Sequence, residues 1–205
     1  MKLTCLSSAA LALATTTEAQ TYKLNAPIAP GTTVGAVRDF RIHPSGSEVL
    51  FRADVRRQGV LELYRTRLDG ASEPQPVVNL GYGRAVQAYD FSPDGRWLAY
   101  LADGRTDEVV ELFVHAVGTP GSRRASADLP AAGDVSRFFL APDGAHVLYL
   151  ADAAQDELQE LFSVPLDGSS PPVRMHAPLA TNDELADILV TPSRVVYVLD
   201  PAGGP

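Results

Sequence analysis

One pattern restricts this chain more than any other: a turn-forming string that comes back every 49 residues. Its fullest copy is Phe91-Ser92-Pro93-Asp94-Gly95-Arg96-Trp97-Leu98-Ala99-Tyr100-Leu101-Ala102-Asp103. Ile42-His43-Pro44-Ser45-Gly46 precedes it, and Leu140-Ala141-Pro142-Asp143-Gly144 follows it. Pro44, Pro93 and Pro142 are 49 residues apart, as are Phe51, Tyr100 and Tyr149, and as are Glu62, Glu111 and Glu160. A degenerate fourth copy runs from Thr191-Pro192-Ser193-Arg194 to Tyr197-Val198-Leu199-Asp200. Each copy reads as strand, tight turn, strand. One such unit cannot bury its own flat faces, so the copies must stack.

The rest of each copy supplies more strands. In the first, Val37 to Ile42 alternates, and Val49-Leu50-Phe51 is a continuous apolar run suited to burial on both faces. Val60 to Tyr64 is a third strand, closed by Leu68-Asp69-Gly70, and Gln75 to Leu80 is a fourth. The second copy has strands at 88–92, 96–102 and 109–116, with a weak fourth near 123–129. The third has them at 135–141, 145–151, 158–165 and 172–176. Leu185 to Val190 and Val195 to Leu199 begin another copy. No copy contains an amphipathic helical stretch. Four short antiparallel strands per repeat is the pattern of propeller blades. The expected fold is therefore all-β, a β-propeller of four-stranded antiparallel blades. Blades fall at about 37–80, 86–129, 135–176 and an incomplete 185–205. Phe51, Tyr100, Tyr149 and Tyr197 are placed to fill the blade–blade interfaces.

The string Ser92-Pro93-Asp94-Gly95-Arg96-Trp97-Leu98-Ala99-Tyr100, with Glu111-Leu112-Phe113 downstream, resembles the TolB-like (WD40-like) propeller repeat. The resemblance covers nearly all of residues 21–200 within a repeat region of 20–205. No Trp-Asp pair closes any unit, so the copies are not WD repeats proper. Propellers of the family usually have six or seven blades, whereas this chain supplies about three and a half. Residues 21–29 match Val173 to Ala180 in character and read as a stray outer strand. Three outcomes are open: part of a longer propeller, a four-bladed ring closed by 21–29, or a ring shared by two chains as a homodimer. Closure leaves Val195–Leu199 as a bare edge, so a partial or partner-completed propeller is expected.

Composition narrows the partners. The formal net charge is -8 and the pI about 4.9, and no cluster of cations is present to displace counterions from a duplex. Nucleic acid and anionic membrane are not expected partners. In residues 1–19, Lys2 is followed by an apolar run from Leu3 to Ala14 and by Thr17-Glu18-Ala19, the order of a signal peptide. A secreted or periplasmic location follows as an expectation. Cys5, the single cysteine, lies in that segment, and no apolar run is long enough for a membrane span.

The strongest polar series is acidic. Asp54, Asp103, Asp152 and Asp200 end the second strand of each unit, and Asp107 and Asp156 recur four residues beyond two of them. On a propeller these positions share the face that carries the blade-joining loops. Asp103, Asp107, Asp152 and Asp156 are thus candidate binding residues. Asp54, Asp103, Asp152 and Asp200 are candidate Ca²⁺ ligands, since hard cations take oxygen donors. The competing reading has each Asp capping its own turn through backbone N–H groups. It takes precedence because each copy repeats the whole strand–turn context. Glu62, Glu111 and Glu160 are expected on the solvent face of the third strand, and Arg123-Arg124 as edge protection. His43, His115, His146 and His176 form no zinc motif. A histidine could meet Asp90 or Asp134 in space to make a base. No Gly-x-Ser-x-Gly elbow or phosphate loop occurs.

Two functions remain. The resemblance implies a binding module that presents a rimmed face or central tunnel to a protein, peptide or small-molecule ligand. Its contacts would come from the loops at 81–85, 104–108 and 153–157. The alternative is a hydrolase opening lactones or esters on a propeller face. There Ca²⁺ would polarise the carbonyl, with His115 or His176 as candidate base.

Overall fold

The computed structural model describes residues 37–56, 59–78, 85–103, 108–180 and 183–201. The expected signal segment, the 21–29 strand and Asp107 lie outside them. The described residues form strands joined by turns and loops, with no helix among them. They are β1 (Val37–Ile42), β2 (Glu48–Ala53), β3 (Glu62–Arg67), β4 (Gln75–Pro76), β5 (Val86–Phe91), β6 (Trp97–Ala102) and β7 (Glu111–Ala116). Then come β8 (Arg123–Arg124), β9 (Val135–Leu140), β10 (His146–Ala151), β11 (Glu160–Pro165), β12 (Val173–Arg174), β13 (Glu184–Val190) and β14 (Val195–Asp200). Three antiparallel meanders, β1–β4, β5–β8 and β9–β12, are followed by the pair β13–β14. This is the partial propeller that the repeat implies.

The outer strands β4, β8 and β12 are two residues long, shorter than the sequence suggests. Prolines account for part of this. Pro76 carries no N–H to extend the ladder, and Pro171 and Pro172 sit immediately before β12.

Packing is blade on blade. Tyr89, Tyr100 and Phe113 of the second blade bury against Leu50 and Leu63 of the first. Tyr149, Phe162 and Val164 of the third bury against Leu101, Leu112 and Val114 of the second. Leu148, Leu150 and Leu161 close on Leu185, with Tyr197 packed beside them. Within each full blade the paired aromatics stack: Phe51 on Tyr64, Tyr100 on Phe113 and Tyr149 on Phe162. The backbone repeats as well. Val86 N–H donates to Leu61 O and Val135 N–H to Val110 O, both at 2.8 Å across a blade boundary.

The β-turns nest in the same way. His43, in the first blade's turn, approaches Gly95 O at 2.9 Å through Nε2. Gly95 has φ +73°, and a Cβ there would lie 2.6 Å from His43 Cε1. Gly46 holds the same turn position with φ +71° but faces open space. Both Gly→Ala changes carry the left-handed cost of about 1–2 kcal/mol. Gly95→Ala must also displace His43, so its unfolding midpoint is expected to fall further than that of Gly46→Ala. Equal losses would mean the turns do not interlock.

Asp94 holds the same turn chemically. The Ser92 hydroxyl donates to its carboxylate at 2.6 Å, and Arg96 N–H at 3.1 Å. The hydroxyl bond, with Arg96 adding to it, lowers the Asp94 pKa from 3.8 to about 2. A carboxyl depressed on folding stabilises the fold above its unfolded pKa, and that contribution is lost as pH falls through the folded one. Stability is therefore expected to drop between pH 3.8 and about 2, and Asp94→Asn to flatten the drop. Urea midpoints measured across that range check it.

The third-strand glutamates correct the sequence expectation. Glu62, Glu111 and Glu160 are 5, 2 and 2 % exposed. Glu111 and Glu160 share their strand faces with Phe113 and Phe162, which pack against the preceding blade, and Glu62 is enclosed by Arg56 and by the Tyr64 hydroxyl, which donates to it at 2.9 Å. Each carboxylate is paired: Glu62 with Arg56, Glu111 with Arg124 at 3.0 Å and Glu160 with Arg174 at 2.8 Å. The Arg123-Arg124 step is likewise not edge protection. Arg124 serves Glu111, while Arg123 Nη2 donates to Pro165 O at 2.6 Å and Leu166 O at 2.8 Å in the next blade.

Candidate functional site

The acids recur in space as in sequence, and they bind backbone. Asp54 accepts from Gly59 N–H at 3.1 Å. Asp103 accepts from Ala85 N–H at 3.0 Å, just before β5. Asp152 accepts from Asp134 N–H, just before β9, and from Glu157 N–H at 3.3 Å. The bonds from Ala85 and Asp134 tie the start of an inner strand to the end of the second strand, and those from Gly59 and Glu157 close the loop that follows it. Asp156 and Asp200 are exposed. Among the described residues no three His, Cys, Asp or Glu side chains gather where they could hold a metal ion.

The histidines have structural partners. His115 is buried, its Nδ1 donates to Gly121 O at 2.8 Å, and burial lowers its pKa. His176 donates from Nδ1 to Ala177 O at 2.6 Å and accepts Leu161 N–H on Nε2 at 3.0 Å, leaving no lone pair for a base. Asp134 accepts Val110 N–H at 2.6 Å, and Asp90 faces Arg41 at 3.8 Å. Neither acid is the partner of His115 or His176.

Away from these groups, β5, β9 and β13 line an open groove of about 650 Å³ along the inner strands. Its walls carry Tyr89, Asp90 and Phe91 from β5, Arg137, Phe138 and Phe139 from β9, and Ile188 and Leu189 from β13. The Arg137 guanidinium rests over the Phe139 ring, 5.0 Å from its centroid. Aromatic walls with a few charged groups suit ligand burial with orientation.

Sequence reasoning missed a second feature of these strands. Each ladder slips beside its inner strand: between Val37 and Asp39, between Val86 and Ala88, opposite Leu150 and Ala151, and between Ala186 and Leu189. The bulges leave Arg38, Gln87, Ser136 and Asp187 out of register, all exposed. The first three are 49 residues apart but chemically unlike. The repeat keeps the backbone device and varies the side chain it re-aims. Spacing was the available signal, but a bulge declares itself only in the pairing.

The two ends of the blade stack are apolar. Phe40 and Ile42 on β1 are 59 and 53 % exposed, and Leu189, Val196 and Val198 on β13–β14 are 60, 54 and 51 %. Among the described residues no helix is long and apolar enough to cross a membrane.

Comparison with known proteins places this geometry. No protein-family model matches the sequence, and no curated protein matches it. Solved structures do. The chain is similar to a putative TolB from Agrobacterium tumefaciens, with 18% identity and a TM-score of 0.53 over 84% of this chain and 58% of that one. It is similar to puromycin hydrolase, with 16% identity and a TM-score of 0.57 over 82% of this chain and 26% of that one. Dipeptidyl peptidase 4 from Porphyromonas gingivalis matches with 11% identity and a TM-score of 0.58, over 83% and 30%. The chain thus spans less than two thirds of the length of each. The likeness is one of fold.

Proposed function

Starting from a TolB-like propeller fold, we propose that this chain is a binding module whose inner-strand groove receives a protein, peptide or small-molecule ligand. One observation carries the reading: the aromatic groove on β5, β9 and β13 combines about 650 Å³ of open space with charged groups at fixed positions. The acid rim, by contrast, is engaged with its own backbone at Asp54, Asp103 and Asp152. Asp156 and Asp200 are exposed and remain to contact a partner, and Asp107 lies outside the described residues. Amide shifts recorded while adding blocked dipeptides, short oligosaccharides and lactones test the proposal. It expects at least one class to move resonances of Tyr89, Asp90, Phe138 and Ile188. Binding confined to the 153–157 loop, or none to the groove, contradicts it.

The apolar ends of the stack support a homodimer as their cover, because each has the character of a buried blade face elsewhere in the chain. A solution mass of one chain by light scattering would contradict that. The N-terminal order of charge, apolar run and small-residue site supports a secreted or periplasmic location; recovery of the protein in the cytoplasmic fraction with residues 1–19 retained would count against it.

The hydrolase alternative draws on the puromycin hydrolase and peptidase folds, which is fold-level support only. Calcium would then be held by acids from the Asp54, Asp103, Asp152 and Asp200 series. Chelator-sensitive opening of a lactone would favour this reading, and calorimetry showing no calcium uptake would remove it.

A further inference from the structure

We infer that Arg137 makes the groove selective for a carboxylate that sits beside an apolar side chain. This rests on the groove reading above and deepens it. Arg137 is exposed on β9, lines the groove, and forms no ion pair among the described residues. Two other arginines beside the inner strands are paired: Arg41 faces Asp90, and Arg52 is bound to Asp39. In a chain of formal net charge -8, a cation left free in an aromatic cleft stands out.

Position adds to charge. The guanidinium lies over Phe139, 5.0 Å from the ring centroid. This stacking restricts the side chain and leaves its edge N–H groups free for a planar acceptor. A carboxylate fits that fork with two parallel bonds. Phe138, Leu140 and Ile188 line the same groove and suit an apolar side chain next to the acid. Asp90, on the β5 wall, repels a second negative group. The occupant is therefore a peptide-like ligand with one acid and an adjoining apolar group, and not a polyanion.

Amide-shift titrations with three probes test this. They are N-acetyl-phenylalanyl-leucine with a free C-terminus, its C-terminal amide, and N-acetyl-aspartyl-phenylalaninamide. The free acid is expected to bind the groove about tenfold tighter than the amide, the scale of a charge-assisted bond. Arg137→Gln is expected to erase that difference, the free acid and the amide binding alike, with the thermal midpoint unchanged because Arg137 is exposed. If the aspartyl probe matches the free acid, the site reads any carboxylate; if it matches the amide, it reads a chain terminus. Equal binding of the free acid and its amide, or a preference that survives Arg137→Gln, overturns the role of Arg137 and leaves the groove reading standing. Failure of all three to move any groove resonance overturns the role of Arg137, and the groove reading falls with it when oligosaccharides and lactones also leave those resonances in place.

Discussion

Tyr149→Ala is expected to destabilise the protein by about 3–5 kcal/mol, the range for deleting a large buried ring. Tyr149 is fully buried between the second and third blades. Its ring stacks on Phe162 at 5.2 Å, and its hydroxyl oxygen accepts the Ala127 N–H at 3.0 Å across the boundary. Truncation leaves a cavity, an unstacked Phe162 and a part-buried N–H without its acceptor. Tyr149→Phe keeps the ring and should lose only about 1 kcal/mol. Burial also pushes the Tyr149 pKa up to about 12, so its ionisation should trail that of exposed tyrosines. Urea unfolding of the three proteins checks the order. A midpoint for Tyr149→Ala close to that of Tyr149→Phe would mean the ring is not an interface residue.

Arg174→Met should be nearly as damaging, costing about 3 kcal/mol. The Glu160 side chain is 3 % exposed, and Arg174 Nη1 meets its Oε1 at 2.8 Å. Removing the arginine strands a carboxylate between two blades. The cost belongs to that stranded charge more than to the attraction lost. A Glu160→Leu, Arg174→Met double variant should therefore recover most of the stability, since a well-packed apolar pair often replaces a buried ion pair without loss. Additive losses in the double-mutant cycle would show that the two side chains do not act together.

These two sites also mark how far the sequence could be read. The Tyr149 series was legible because interface aromatics repeat at the blade period and strand alternation assigns them a face. The turns were legible too, since Pro44-Ser45-Gly46 and its copies carry their geometry in their residue types. Glu160 was not. Its solvent-facing assignment assumed a sheet with one wet side, and blade stacking removes that side. Its partner Arg174 stands in a two-residue outer strand that local propensity barely signals. The candidate site divides similarly. Repetition brought Asp54, Asp103 and Asp152 forward, and their bonds go to nearby backbone. The groove residues Asp90, Arg137 and Ile188 are chemically unlike, and what unites them is their place on β5, β9 and β13 along one groove. Only the assembled blades bring them together.

The nesting of successive β-meanders about one axis is tested most directly by nuclear Overhauser contacts at the first two turns. Cross-peaks are predicted from the His43 ring to the Gly95 α-protons and to the Phe91 ring, whose centroid lies 4.9 Å from that of His43. A His43 ring that shows contacts only within its own turn would contradict the stacked arrangement.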